Sequence, residues 1–374
     1  MSRLRVALVS SGLGHVTRGI EVWMTELAAH LPADIDAELW SGGAPPAVRG
    51  RSACHLHGIS RDAAILRPWS WHRRYILEQL SVLPRTVLRL RKSRCDIVYC
   101  GDPVLSWHLK RFRSFHHAKV VFMNGMRLSA GWARDFDGVH LLAPPYLEQA
   151  RRELGAENTN RFFAVPHFVD LEQFAPASAE QRAAARQQFG LPEKAFVVLT
   201  AGPVGQVSGK RLEWLAQEVA HVGPDCVLVS AGVEEDGAED VRASVRAALG
   251  QRAIFVGRVE RARMPQLYHA ADVYSLGSLA EPFSIAILEA LASGLPVVHH
   301  ADDVMRWQTG DGGVPVSMSN AGEAAAAFRN LQSGEQQQRI GRSARKLAET
   351  RYAPKIVCAE WVQCVLRIAA PPQT

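Results

Sequence analysis

The chain has 374 residues, with 43 Lys and Arg against 37 Asp and Glu, and 47% of its residues are hydrophobic. This length accommodates two domains of ordinary size, each with its own core. No run of about 18 apolar residues is present, so we expect no transmembrane helix. The apolar stretch at residues 4–9 is too short for a secretory signal and leads directly into a glycine loop, as a first buried strand does.

The six cysteines form no C-x-x-C pair and fall in runs typical of strands or helices. We interpret them as buried thiols in a reducing environment. The composition therefore predicts a cytoplasmic protein, either dissolved or peripheral on the inner face of the plasma membrane.

Runs typical of strands alternate with helical runs from end to end. The strand-like runs are residues 4–9, 37–40, 97–100, 120–123 and 139–142, followed by 196–200, 227–230, 254–256, 273–276 and 296–299. This alternation predicts an α/β fold with two Rossmann-like, doubly wound parallel sheets. Residues 165–176 contain two prolines and no helical periodicity, which marks a linker. We predict domains at 1–165 and 178–353, joined by residues 166–177.

The first predicted strand ends in a glycine-containing turn, Ser10 to His15. Gly12 and Gly14 let the backbone approach a ligand closely, and the start of the following helix favours an anion. As a dinucleotide fingerprint the turn is weak, because position 17 is Thr17. His15 is either a helix-start residue with a local bond or, like Arg18, directed at a ligand.

Positive charge is concentrated early in the chain. Residues 1–170 hold 23 Lys and Arg against 15 Asp and Glu, and much of the excess lies between Arg67 and Arg94, where it alternates with aromatic and aliphatic residues. Such a helical stretch suits an anionic membrane surface. The alternative is a solvated basic face with its Trp residues packed inward. No nucleic-acid-binding motif accompanies the charge, so we expect no nucleic acid partner.

Two loops of the second half suit an anionic ligand. Residues 202–211 are glycine-rich and bring Lys210 to a helix start, where a cation can neutralise a diphosphate; a plain surface lysine is the alternative. The loop is not a P-loop, because no Ser or Thr follows Lys210. Residues 255–259, which include Arg258, end another strand at the edge where open sheets bind ligands.

The string LAEPFSIAILEALASGLPVV, residues 279–298, places Glu281 in a loop and Glu289 on the apolar helix that follows. A carboxylate in such surroundings needs a polar partner. Ser284 can cap this helix and Gly294 can end it. The helix start presents backbone N–H groups that suit a phosphate. Two Glu residues eight apart arise easily by chance, so the interpretation of this site depends on the whole string and not on the two Glu residues alone.

This string and the loops before it resemble the donor-binding half of the retaining glycosyltransferases with two Rossmann-like domains facing a cleft. These are the GT-B enzymes of family 4 type, also called glycosyl transferases group 1. The resemblance implies transfer of a hexose from a UDP- or GDP-sugar to a glycan or lipid-linked acceptor, in bacterial cell-surface polysaccharide or lipopolysaccharide synthesis. It implies no cofactor, because the nucleotide sugar is a substrate, and no metal. It also implies that a final helix at 354–370 packs back on the first domain.

The resemblance assigns roles to individual residues. Glu281 would bind hydroxyls of the donor sugar, Glu289 the ribose, and Lys210 the diphosphate, while the departing phosphate takes the proton of the acceptor. The catalytic set would be Glu281, Lys210, His15 and Asn124. The remaining donor contacts would come from Gly12, Gly14, Arg211, Arg258, which either stacks on the nucleobase or faces solvent, and the backbone near Phe283, Ser284 and Ile285.

The chain departs from the family pattern at three places. Family members usually carry an arginine shortly before the lysine, but none occurs from 187 through 209. Either Arg211 compensates or the diphosphate is held less tightly. Asn124 stands where a histidine is usual; it can hydrogen-bond a sugar but cannot act as a base. His167 and Phe168 replace the usual asparagine and glycine of the linker. These departures keep open a catalytically weakened nucleotide-sugar-binding protein.

Two short acidic motifs resemble metal ligands. They are Asp-Ile-Asp at 34–36 and Asp-Phe-Asp at 135–137. Both lie in the first half, where we interpret them as part of a loop and a turn. They do not change the prediction that the protein uses no metal.

Overall fold

The computed structural model describes residues 3–16, 19–206 and 209–370. The chain divides into two compact units, Met1–His167 with Pro354–Thr374 and Phe168–Ala353. Each unit is built around its own parallel sheet.

The strands of the first unit are β1 Leu4–Ser10, β2 Ile35–Ser41, β3 Ser52–His55, β4 Ile97–Cys100, β5 Lys119–Met123, β6 Gly138–Leu141 and β7 Phe162–Ala164. They pair in parallel in the order β3-β2-β1-β4-β5-β6-β7. Its helices are α1 Gly19–His30, α2 Trp71–Ser93, α3 Pro103–Arg111, α4 Arg113–His116, α5 Ala130–Ala133 and α6 Pro144–Leu154. Central strands such as β1 are apolar runs because both faces of the sheet are covered.

The second unit repeats this plan. Its strands are β8 Phe196–Ala201, β9 Cys226–Ala231, β10 Ala253–Gly257, β11 Val273–Ser275, β12 Val297–His300 and β13 Gly313–Val316, in the parallel order β10-β9-β8-β11-β12-β13. Its helices are α7 Ala179–Gln188, α8 Leu212–Ala220, α9 Ala238–Leu249, α10 Met264–Ala270, α11 Ile285–Ala292, α12 Asp303–Thr309, α13 Glu323–Leu331 and α14 Gly334–Arg351. Two doubly wound parallel sheets therefore confirm the predicted fold class.

The last helix, α15 Pro354–Ala369, belongs to the first unit. Trp361 is fully buried and meets the Tyr99 ring edge-on, with ring centroids 5.3 Å apart. The Lys119 ammonium donates to the carbonyl oxygens of Ile368 and Ala370, both at 2.7 Å. These bonds satisfy carbonyl groups that the end of the helix leaves without intrahelical donors.

The basic segment differs from its prediction in two respects. Helix α2 begins at Trp71, so Arg67 and Trp69 precede it. Trp69 and Trp71 are 48% and 44% exposed, so the alternative in which they pack inward is wrong. Among the described residues, no helix is long and apolar enough to cross a membrane.

Two smaller predictions are corrected. All six thiols are free, but Cys54, Cys95 and Cys364 are only half-buried, so the prediction of buried thiols is wrong for these three. Strand β2 begins at Ile35, and Asp36 is therefore part of a strand rather than of a loop.

Candidate functional site

The chain order of the second sheet reverses between β8 and β11, which lie side by side. Ligands of open α/β sheets bind outside the carboxyl ends of the strands at such a switch point. Two loops leave the sheet there: residues 202–211 after β8, of which 207 and 208 lie outside the described residues, and residues 276–284 after β11. The candidate site is built from these loops.

Lys210 and Glu281 form an ion pair across the two loops. The Ser278 hydroxyl also donates to Glu281, at 3.2 Å. Gly277 allows the close approach, because a Cβ at this position would lie 2.8 Å from the carbonyl oxygens of both Lys210 and Arg211. The lysine and glutamate singled out from the sequence therefore lie together at the switch point.

Glu289, on α11, is 3% exposed and has two polar partners. Its carboxylate forms an ion pair with Arg261 and accepts a hydrogen bond from the Tyr268 hydroxyl at 2.8 Å. Burial and the adjacent charge of Glu289 raise the pKa of Tyr268 well above its ordinary value, so this phenol stays a donor. The prediction that a polar group meets Glu289 is confirmed.

The start of α11 has the predicted cap. The Ser284 hydroxyl accepts from the Ile287 amide at 3.4 Å, and Gly294, at φ +73°, ends the helix. Gln308 binds the backbone of Ser284 at both its amide and its carbonyl. The Ser284 amide, expected to meet a phosphate or sugar, is thus engaged within the unit. Phe283 beside it is buried, and Ile285 begins the helix.

The two predicted arginines of this unit have different surroundings. The Arg211 guanidinium donates to the carbonyl oxygen of Met318 at 2.7 Å and stands 5.0 Å from the Trp214 ring. Arg258 is exposed and follows β10, an edge strand. Arg211 therefore already anchors its own loop.

In the first unit, Gly12, Gly14 and His15 lie in the loop after β1. Gly14 has φ +82°, which favours glycine, and a Cβ on Gly12 would overlap the Glu21 carboxylate. The His15 backbone amide donates to the Gly12 carbonyl at 3.0 Å. This is a local bond of the kind expected if His15 is only a helix-start residue. Arg18 lies outside the described residues.

Asn124 follows β5 and is 5% exposed. Its amide nitrogen donates to the Leu128 carbonyl at 2.7 Å, and its amide oxygen accepts from the Leu128 amide at 2.8 Å. Both ends of the side chain are thus occupied in closing the loop from 124 to 128.

A buried charged network at the switch point of the first sheet was missed by sequence reasoning. Asp102 accepts from the Ser11 amide at 2.6 Å, and Arg61 donates from Nε to Glu78 at 2.7 Å. Burial, reinforced by the charge of Asp102, raises the pKa of Glu21 to about 7, and burial raises that of Asp102 to about 6. The partners lie far apart in the chain, so no local signal joined them.

We expect Glu21→Gln to change how stability depends on pH. Because its folded pKa of about 7 exceeds the ordinary 4.5, Glu21 binds more protons in the folded state between these values, and stability falls as pH rises through that window. The glutamine variant lacks this loss. The free energy of unfolding of the variant, measured with denaturant and taken relative to the unmodified protein, should rise by roughly 2–3 kcal/mol between about pH 5 and pH 8. A constant difference across this range would contradict the prediction.

The acidic motifs of the first unit are engaged with basic partners. Asp137 accepts from Arg113 at 2.6 Å, and Asp36 lies 3.9 Å from Arg5. In the described part of the chain, no group of three or more His, Cys, Asp or Glu side chains is arranged to hold a metal ion.

Comparison with solved structures defines the class of fold. Sucrose-phosphate synthase from Thermosynechococcus elongatus superposes with a TM-score of 0.79 at 19% identity, over 98% of this chain and 99% of that chain. Anabaena HepE, solved in complex with UDP and glucose, superposes with a TM-score of 0.77 at 17% identity, over 97% and 99%. The architecture is that of the two-domain GT-B fold.

Comparison of sequences then finds a family match within one of the two units. Residues 195–333, all in the second unit, match the family model described as glycosyl transferases group 1, which confirms the resemblance drawn from the loops. A D-inositol 3-phosphate glycosyltransferase of Xylanimonas cellulosilytica is 33% identical over 158 residues. That match spans 40% of this chain and only 37% of the relative's length.

Proposed function

We propose that the protein is a retaining glycosyltransferase that moves a hexose from a UDP- or GDP-sugar to a glycan or lipid-linked acceptor. The observation that carries this proposal is the Lys210–Glu281 pair at the switch point of the second sheet. The family match over the same unit and the UDP and glucose in the HepE structure support it. Synthesis of a bacterial cell-surface polysaccharide or lipopolysaccharide is the proposed setting.

The site suits departure of a diphosphate. As the bond to the anomeric carbon breaks, positive charge develops on the sugar and negative charge on the leaving phosphate, which the Lys210 ammonium neutralises. Glu281 orients the sugar through its hydroxyls. Glu289, held by Arg261 and Tyr268, presents a fixed carboxylate to the ribose. The departing phosphate oxygen takes the acceptor's proton, so no side-chain base is needed on this face.

An assay of transfer and hydrolysis against a panel of UDP-, GDP- and ADP-sugars tests the proposal. Product should form from at least one donor, and NMR of the anomeric proton should show retained configuration. Donor binding without turnover would instead support the alternative, a catalytically weakened nucleotide-sugar-binding protein. The engaged Asn124 amide is the observation that favours this alternative.

We expect activity to persist in excess EDTA. Lys210 provides the positive charge that many transferases obtain from a bound divalent cation. Initial rates with and without chelator should agree, with a metal-dependent enzyme in the same buffer as control. Loss of activity that magnesium or manganese restores would refute metal independence.

We also propose that the acceptor reaches the enzyme at an anionic membrane surface. Arg67 and Trp69, just before α2, and Trp71 and Arg73, in its first turn, are all exposed. The full basic segment from 67 to 94 offers less free positive charge to a lipid surface than its sequence suggests, because Arg89 forms an ion pair with Glu38. The cluster from 67 to 73 therefore carries the proposal.

The double variant Arg67→Gln, Arg73→Gln should bind anionic vesicles about 30-fold less tightly, since each basic residue near the surface contributes about 1 kcal/mol. Co-sedimentation at low and raised salt measures this, because salt screens the attraction. Lys194→Gln with Arg339→Gln removes the same charge from exposed sites of the other unit and should have no effect. Equal binding to zwitterionic vesicles, or none at low salt, would contradict docking of this cluster on anionic lipid and would favour a solvated helix and a soluble acceptor.

A further inference from the structure

The second unit contains a cavity of about 570 Å³ that the proposed donor site does not use. Its wall includes Ala271, just before β11, and Leu295, just before β12. The cavity therefore lies at the amino-terminal edge of the sheet. Lys210 and Glu281 lie at the opposite, carboxyl edge. A volume of this size is in the range of small-molecule sites, which run from about 300 to 1,000 Å³.

Positive charge dominates the cavity wall. Four cationic side chains line it against one carboxylate; they are Arg182, Arg342, Arg345 and Lys346, with Glu349. Arg182 is paired with Asp272, and Arg345 with Glu349. Arg342 and Lys346 are exposed on α14, one helical turn apart. Neither forms an ion pair within the described residues, so their charge is available to a ligand.

Arg345 also removes an obstacle to anion binding. Helix α11 ends beside the cavity, and the carboxyl end of a helix carries partial negative charge. The Arg345 guanidinium donates to the Ala292 carbonyl at that end, and to the Phe174 carbonyl, each at 2.8 Å. These bonds offset the helix end and fix the arginine in place.

The remaining wall combines apolar and polar groups. Pro176 and Leu295 line it with apolar side chains, and Gln338 lines it with an exposed amide. Ser293 is 6% exposed, and its hydroxyl has no hydrogen-bond partner among the residues that the structure describes. This hydroxyl is itself inaccessible, so the contacts to a ligand fall to the exposed groups of the wall.

We propose that this cavity is a second ligand site, which binds a small organic phosphate. Arg342 and Lys346 contact the phosphate, and the mixed polar and apolar groups of the remaining wall hold the organic part. Two available cations beside such a wall favour the phosphate ester of a small polar molecule over either an apolar molecule or free inorganic phosphate.

Calorimetric titration of the full chain with ribose 5-phosphate and with inorganic phosphate tests this site. Ribose 5-phosphate should bind at one site and more tightly than inorganic phosphate. The double variant Arg342→Gln, Lys346→Gln should weaken its binding about tenfold or more, as expected for lost charge-assisted hydrogen bonds. Arg339→Gln, an exposed position of the same helix outside the cavity wall, should bind like the unmodified protein.

A competition experiment separates this site from the proposed donor site. Saturating UDP should leave ribose 5-phosphate bound, because the two sites lie at opposite edges of the sheet. Displacement by UDP, equal weakening in the Arg339 variant, or no binding of ribose 5-phosphate to the unmodified protein would overturn the proposal. Circular dichroism of each variant verifies that the fold is retained, and the binding readout does not depend on transferase activity.

Discussion

Replacement of Glu289 by glutamine is expected to weaken binding of the nucleotide-sugar donor by roughly 10- to 100-fold. A hydrogen bond to a charged group contributes about 1.5–3 kcal/mol, and the neutral amide cannot provide it to the ribose hydroxyls. Glutamine is preferred to alanine because Glu289 also binds Arg261 and Tyr268. Removing a buried charged partner altogether costs about 3–5 kcal/mol of stability, which would mix unfolding with lost affinity.

Calorimetry with UDP and with the donor sugar found in the panel measures the effect. Tyr268→Phe is the matched control, since it removes only the hydroxyl that touches Glu289 and leaves the carboxylate in place. This variant should lose less affinity than the glutamine variant. Unchanged donor affinity in Glu289→Gln, with an unchanged melting temperature, would exclude Glu289 from the site.

Replacement of Lys210 by methionine should lower kcat by about 100- to 1,000-fold, the range seen when one group that stabilises developing negative charge is removed. Methionine keeps most of the aliphatic length but carries no charge for the departing diphosphate. The effect should fall mainly on kcat, because the negative charge on the leaving group grows as the reaction proceeds.

Lys210→Arg is the informative control for this prediction. It keeps the charge but changes the geometry beside Gly277 and Glu281, so partial activity should remain. Steady-state rates at saturating donor distinguish the variants. Full kcat in the methionine variant would show that Lys210 is a structural partner of Glu281 and takes no part in transfer.

The interior strands were predictable, whereas several edge strands were not. Strands β1 and β4 are buried on both faces, so their residues form apolar runs that stand out in the sequence. Strand β3 has no buried residue, and β13 is only partly covered. An edge strand needs apolar residues on fewer positions, which leaves little periodic signal.

The loops of the site were predictable because glycine, a cap and a helix stop mark them locally. The partners of their charged residues were not. Arg261 and Tyr268 reach Glu289 from 28 and 21 residues away, and Arg61 reaches Glu78 across 17. Such pairs depend on how helices and strands pack against one another, which the residue pattern of a single segment does not predict. The same reason explains why the sequence did not predict the ion pair between Arg89 and Glu38.

The Asn124 side chain closes the loop from 124 to 128 through the backbone alone. Both hydrogen bonds of the Asn124 side chain go to the backbone of Leu128. They therefore close the loop without using the side chains of residues 125–127. Met126 is 43% exposed, and Arg127 has the left-handed φ of +57° that glycine or asparagine also adopts. Substitutions at 126 and 127 would therefore change the surface at this edge of the sheet, and the contacts of Met126 with Tyr75 and of Arg127 with Tyr146, while the closure of the loop by Asn124 is retained.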